Sequence, residues 1–168
     1  MRRPIGDIMD TDVYTCHYSN TLEEVVHMLV SKKVGGLTVI DDNRRVVGFI
    51  SDGDIMRAVG KQKARPIFSG NDSVMVLYDT DTFEQKVEEF KKRNVMELAT
   101  RKVFCVTPAK PIDEVAEILS KRKFKKIPIT DQDGTLLGIA RRATIMRYIF
   151  TTLFGFEPEK EGAEDEKE

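Results

Sequence analysis

The segment Gly48-Phe49-Ile50-Ser51-Asp52-Gly53-Asp54 carries the side chains best placed for chemistry. An apolar run ends there and a helical pattern begins. Ser51 falls at the helix N-cap and Asp54 three residues on. Ser-x-x-Asp is close to a capping box, so an ordinary helix start accounts for both residues. The same geometry also suits a ribose-phosphate. A helix N-terminus offers free N–H groups and a partial positive charge, which favour phosphate. A cap hydroxyl adds a hydrogen bond, and a carboxylate one turn in can accept from both hydroxyls of a ribose. Gly53 leaves the approach uncrowded.

Catalytic patterns are not evident. The two histidines, His17 and His27, lack metal-ligand spacing to another ligand residue. There is no Gly-x-Ser-x-Gly and no Walker A sequence. Cys16 and Cys105 lie far apart without Cys-x-x-Cys spacing, and free thiols in a reducing cytoplasm are the expectation, with a disulfide between them as the alternative. Lys and Arg are dispersed and the net charge is −1, so nothing points to nucleic acid or an anionic membrane. The longest apolar runs, such as Val74–Tyr78, are too short to span a bilayer, and no signal-peptide stretch follows Met1.

The elements that must position these residues occur twice. Gly48 and Gly138 stand 90 residues apart, and the same offset aligns the surrounding apolar positions without a gap. Ile8 falls on Leu98, Leu22, Val25 and Leu29 on Ile112, Val115 and Leu119, and Val39 on Ile129. Each copy reads as strand, helix, strand, strand, helix. In copy 1, Val13–Cys16 is a strand, Thr21 and Glu24 form a capping box, and Gly35-Gly36 stops the helix. Leu37–Ile40 and Val46–Ile50 are strands joined by Asp41-Asp42-Asn43. In copy 2, Pro111 opens the helix, Asp131-Gln132-Asp133-Gly134 is a hairpin turn, and Pro128 is expected at the start or edge of its strand. Copies this small bury apolar faces against a neighbour, which predicts an intramolecular pair about a pseudo-two-fold axis.

The boundaries read as 1–60 for unit 1, 61–94 for an insertion, 95–155 for unit 2 and 156–168 for an acidic, disordered tail. In the insertion, Gly60 and Arg65-Pro66 break the preceding helix and Ser69-Gly70-Asn71-Asp72 reads as loop. Val74–Tyr78 is a short strand, and Thr82 to Gln85 caps a helix with Phe83, Val87 and Phe90 on one face. The apolar stretch Tyr148–Phe156 reads as a core-facing final helix, with a homodimer contact as the alternative.

The repeat resembles a tandem pair of CBS domains, the Bateman module. The resemblance rests on the βαββα order, the strand Ile127-Pro128-Ile129 with Leu37-Thr38-Val39 as its counterpart, and Gly48-Phe49-Ile50-Ser51-Asp52-Gly53-Asp54. It covers about residues 4–59 and 95–150. It implies an α+β fold of two such units, with three-stranded mixed sheets and helices on one side. It also implies a cytoplasmic regulatory module, not an enzyme, that binds AMP, ADP, ATP or S-adenosylmethionine between the copies. No catalytic cofactor is implied, and the partners expected are a second copy and a separate effector protein; a ligand-free interaction module is the alternative. Carried over by position, Ser51 faces phosphate or ribose, Asp54 the ribose, and Phe49 the base. Ala99 and Phe104 line the adenine pocket, and Lys125 and Lys126 meet phosphate; a solvated basic patch explains the lysines equally well. A second cleft departs from the pattern, with Arg141 and Thr144 in place of Ser51 and Asp54 and a wall from Met9, Tyr14, Gly35 and Gly36. Arg141 and Arg142 oppose the helix dipole there, which calls for a bound anion or for solvent exposure.

Overall fold

The computed structural model describes residues 2–60, 64–69, 73–78 and 82–156, the second and third of these ranges by backbone alone. The loop expected at 70–72 and the tail from 157 onward lie outside the described residues. The chain divides into two compact units, one of residues 14–103 and the other of 1–13 with 104 onward.

In the unit 14–103, strand β1 (Thr15–His17) runs parallel to β2 (Gly36–Ile40), which runs antiparallel to β3 (Val46–Ser51). Helix α1 (Leu22–Ser31) turns Leu22, Val25 and Leu29 onto Leu37, Val39 and Ile50 of the sheet. The capping box forms: Glu24 N donates to Thr21 Oγ1 at 3.3 Å, and Thr21 N donates to the Glu24 carboxylate at 2.8 Å. That N–H, and then the Asn20 side chain, hold the Glu24 carboxyl below its ordinary value. Thr21→Ala is expected to lower stability by about 1 kcal/mol in urea unfolding. Helix α1 ends four residues before Gly35, and Lys33 takes the left-handed conformation (φ 50°). Gly36 instead opens β2.

Helix α2 (Asp52–Gly60) follows β3 directly. It ends at Gly60, as expected, and a hairpin of β4 (Ala64–Ser69) and β5 (Ser73–Tyr78) comes next, with Arg65-Pro66 inside a strand and Val74–Tyr78 paired rather than alone. Pro66 lies within β4, which a two-stranded hairpin allows because each strand has an open edge. Helix α3 (Phe83–Lys91) has its capping box, but only Phe90 of its apolar face is buried and Phe83 is exposed.

The other unit repeats the pattern with α4 (Ile112–Lys121), β6 (Lys126–Thr130), β7 (Leu136–Arg141) and α5 (Arg142–Tyr148). Its first strand shrinks to one parallel bridge, Val106 with Ile129. Two prolines explain the loss. Val106 N donates to Pro128 O and Thr130 N to Val106 O, so the next ladder bonds outward need an N–H from Pro128 and from Pro108. Neither residue has one, whereas copy 1 has Thr38 and Tyr18 there, and Tyr18 N donates to Ile40 O at 3.0 Å. Pro128 is thus the third residue of β6, not its start, paired with Ile139.

Each unit takes the body of one copy and the leader of the other. Ile5 N donates to Lys110 O at 2.8 Å, and its repeat equivalent Val95 N donates to Asn20 O at 2.9 Å. Asp10 bridges Ile139, and Thr100 bridges Phe49. Ile5 and Val95 are both fully buried, in opposite cores.

The final segment corrects the sequence expectation. Past α5 the chain makes one π-helical stretch, Ile149–Leu153. Phe150, Leu153, Phe154 and Phe156 are exposed, not core-facing.

Candidate functional site

In the unit 14–103, β3 delivers Ser51 to the start of α2. The cap closes reciprocally: Asp54 N donates to Ser51 Oγ at 3.2 Å, while Ser51 N (2.9 Å) and Ser51 Oγ (2.6 Å) donate to Asp54 Oδ2. Arg57, one turn on, pairs with Asp54 Oδ1. The carboxylate is 18% exposed. Of about four acceptor positions on a carboxylate, these partners take three, all from the α2 cap itself. A ligand diol must compete with Ser51 or displace Arg57. Arg57 went unnoticed in the sequence, although its i+3 spacing from Asp54 is a signal for such a pair.

Phe49 lies across from Thr38 and its ring packs over Gly36, where an added Cβ would meet Phe49 Cζ at 3.0 Å. Thr38 itself is buried, and its hydroxyl has no hydrogen-bond partner among the described residues. Gly35 is exposed beside the Asp52 carboxylate, and Asp52 N donates to Gly35 O at 3.1 Å. Tyr14 is half-exposed under the Lys32 ammonium, 5.2 Å from its ring centre. Ala99 is buried in the core of this same unit, against Gly48.

The remaining site residues belong to the other unit. Phe104 packs against the core beside Phe124, and the Arg122 guanidinium lies 4.4 Å over its ring. Lys125 is exposed, without an ion pair among the described residues, and its carbonyl accepts from Arg142 N. Lys126 is half-buried at the start of β6, paired with Arg141.

At Arg141 and Thr144 the chain supplies its own anion. Asp10 Oδ2 accepts from Thr144 Oγ1 at 2.8 Å and lies 3.3 Å from Arg141 Nε. Asp10 is the repeat equivalent of Thr100, and Thr144 of Asp54. The carboxylate and the threonine have thus exchanged places between the leader and the helix. The neighbouring Arg142 donates to Phe124 O at 2.8 Å and to Leu119 O at 3.0 Å, so it caps the end of α4. The expected conflict with the dipole is relieved by these partners.

Other reactive groups are bound into the structure. His17 meets Ser19 Oγ at 2.6 Å and Asp42 Oδ1 at 3.0 Å. This chain lies at the open surface, with Asp42 76% exposed, and it ties the end of β1 to the β2–β3 turn. Both cysteines are free thiols; burial pushes Cys16 up to about 12 and raises Cys105 as well. Among the described residues no group of three His, Cys, Asp or Glu side chains could hold a metal, and no helix is long and apolar enough to cross a membrane.

The model of the CBS domain matches residues 5–61 and 95–151, and the chain belongs to that family as a tandem pair. Among curated proteins it is 31% identical to the chloroplastic CBS domain-containing protein CBSX2 of Arabidopsis thaliana, over 85% of this chain and 62% of that protein's length. The crystal structure of CBSX2 superposes with a TM-score of 0.73 at 25% identity, covering 94% of this chain and all of that one. CBSX2 in complex with AMP gives 0.68 at 25% identity, covering 89% of this chain and 97% of that one. The CBS domain pair of protein MJ0100, solved with 5′-methylthioadenosine and S-adenosyl-L-methionine, shares the fold at 22% identity and a TM-score of 0.63, covering 92% of this chain and 98% of that one.

Proposed function

We propose that this chain is a regulatory module that binds an adenosyl ligand, AMP, ADP, ATP or S-adenosylmethionine, and passes its state to a separate effector protein in the cytoplasm. The observation that carries this reading is the Ser51–Asp54 pair, a hydroxyl and a carboxylate held together at the start of α2. Asp54 takes the ribose hydroxyls, Ser51 the ribose or phosphate, and Phe49 flanks the base. Ala99 and Phe104 contribute apolar contacts. For a phosphorylated ligand, Lys125 and Lys126 are the proposed counter-charge. The AMP complex of CBSX2 supports the ligand class. At Arg141 and Thr144, Asp10 fills the place of an anion, so with Tyr14, Gly35 and Gly36 this second set takes an adenosyl ligand weakly or not at all.

A second reading has its own support. The Asp54 carboxylate is already held by Ser51 and Arg57, as a purely structural cap would be. In that case the module binds other proteins and no nucleotide.

Thermal unfolding with AMP, ADP, ATP, NAD and S-adenosylmethionine separates the two. One compound is expected to raise the melting temperature as its concentration rises, by mass action. Asp54→Ala is expected to remove that rise, while Arg57→Ala, which frees one carboxylate oxygen, retains it. No rise with any of the five would leave the cap reading in its place, and a rise that survives Asp54→Ala would count against the site proposed here.

A further inference from the structure

The two copies differ on the sheet face turned away from their first helix. Leu37, Val39 and Ile50 pack with α1 in the core of the unit 14–103. Strand alternation therefore turns Gly36, Thr38, Phe49 and Ser51 to the other face. Thr15, Thr38 and Phe49 stand opposite one another across β1, β2 and β3, and Gly36 stands opposite Ser51. In copy 2 the equivalents of Thr38 and Phe49 are Pro128 and Ile139, and those of Gly36 and Ser51 are Lys126 and Arg141. Copy 1 thus has a hydroxyl and an aromatic ring where copy 2 has apolar side chains. It has a glycine beside its cap serine where copy 2 has two cations.

Thr38 is 1% exposed, and its hydroxyl has no hydrogen-bond partner among the described residues. The large majority of buried side-chain polar atoms are bonded, and an unpaired one forfeits the hydrogen bonds it makes to water in the unfolded chain. The strand does not call for a hydroxyl here, since Pro128 fills the same place in β6. A hydroxyl both donates and accepts. It therefore matches the edge of an adenine, whose ring nitrogens accept and whose amino group donates. Its position fits as well. Thr38 lies two residues along β2 from Gly36, and Ser51 lies across from Gly36 on β3. Strand spacing makes that diagonal about 8 Å, comparable to a nucleoside measured from its ribose hydroxyls to the edge of its base. Phe49 lies between the two ends, opposite Thr38 and with its ring over Gly36.

We propose that Thr38 reads the base of the ligand, its hydroxyl bonding the adenine edge while Ser51 and Asp54 hold the ribose. This rests on the adenosyl reading of the Ser51–Asp54 cap. The half-buried Phe49 ring moves off Gly36 to admit the base and then flanks it. Thr38→Val keeps the shape of the side chain and removes the hydroxyl. Calorimetric titration of the full chain with AMP, ADP, ATP, NAD and S-adenosylmethionine tests the role. Every compound that the wild type binds is expected to bind Thr38→Val about 10-fold less tightly or worse, whatever its 5′ substituent, and Thr38→Ser within about 3-fold of wild type. Without ligand, Thr38→Val is expected to melt at or above the wild-type temperature, because an unpaired buried hydroxyl adds no stability. A Thr38→Val chain that binds as tightly as wild type overturns the role of Thr38 and leaves the Ser51–Asp54 site standing. A ligand-free Thr38→Val chain that melts below wild type shows the hydroxyl already partnered and overturns that role too. A wild-type chain that binds none of the five overturns the adenosyl reading and this proposal with it.

Discussion

Ile5→Ala is expected to remove about 2–5 kcal/mol of stability, and to remove it from the unit built on copy 2. Ile5 is fully buried among Val106, Ile112, Val115 and Ile127, none of which belongs to copy 1. Its backbone is held there too, since Ile5 N donates to Lys110 O, Gly6 N to Pro108 O and Ile112 N to Arg3 O. Truncation to Ala leaves a cavity that the anchored leader cannot close. Val95→Ala, at the equivalent position, makes the reciprocal prediction, because Val95 is buried with Leu22, Val25 and Leu37. Amide hydrogen exchange distinguishes the units. In Ile5→Ala the amides of α4, β6 and β7 lose protection first, and in Val95→Ala those of α1, β2 and β3. Equal loss in both units for either variant would mean that the leader is not assigned as described.

The sequence made much of this legible because the repeat is gap-free. An offset of 90 locates both helices and the two later strands of one copy from the other, and capping boxes at Thr21 and Thr82 mark helix starts directly. An alignment of copies says which residues are equivalent, not which copy a segment packs against. The exchange of leaders was therefore hidden. The Asp10–Arg141–Thr144 cluster was hidden for the same reason, since Asp10 lies over 130 residues from its partners. The single bridge at Val106 follows from two prolines whose missing N–H groups matter only once the register is known. At the site, the sequence placed Ser51 and Asp54 on one cap, and they are hydrogen-bonded there. The exposed aromatic end was misread because periodicity shows a common face without showing what the face meets.

The equivalent glycines Gly48 and Gly138 are expected to respond unequally to alanine. Both lie at the same place in the ladder, opposite Val39 and Ile129, one pair before a bulge. In a strand, Gly→Ala alone favours folding by roughly 0.5–1 kcal/mol. At Gly48 the added Cβ meets Val39 Cβ at 3.3 Å and Ala99 Cβ and Thr100 O at 3.4 Å. Shifts of a few tenths of an ångström relieve those contacts, so Gly48→Ala is expected near neutral. At Gly138 it meets Met9 Sδ at 2.8 Å and Asp10 O at 2.9 Å. The thioether can swing aside; the carbonyl cannot. Asp10 O accepts from Ile139 N at 2.9 Å, and Asp10 N donates to Ile139 O at 3.0 Å. Moving the carbonyl strains both bonds and draws the Asp10 carboxylate away from Arg141 and Thr144. Overpacking of this kind costs about 1–3 kcal/mol, which exceeds the gain in strand preference. Urea unfolding should therefore show Gly138→Ala destabilised by at least about 1 kcal/mol relative to Gly48→Ala. In the Gly138→Ala background, Asp10→Ala should cost less than it does in the wild type, because the two changes act on one contact. Additive losses would place the Asp10 cluster outside the influence of Gly138.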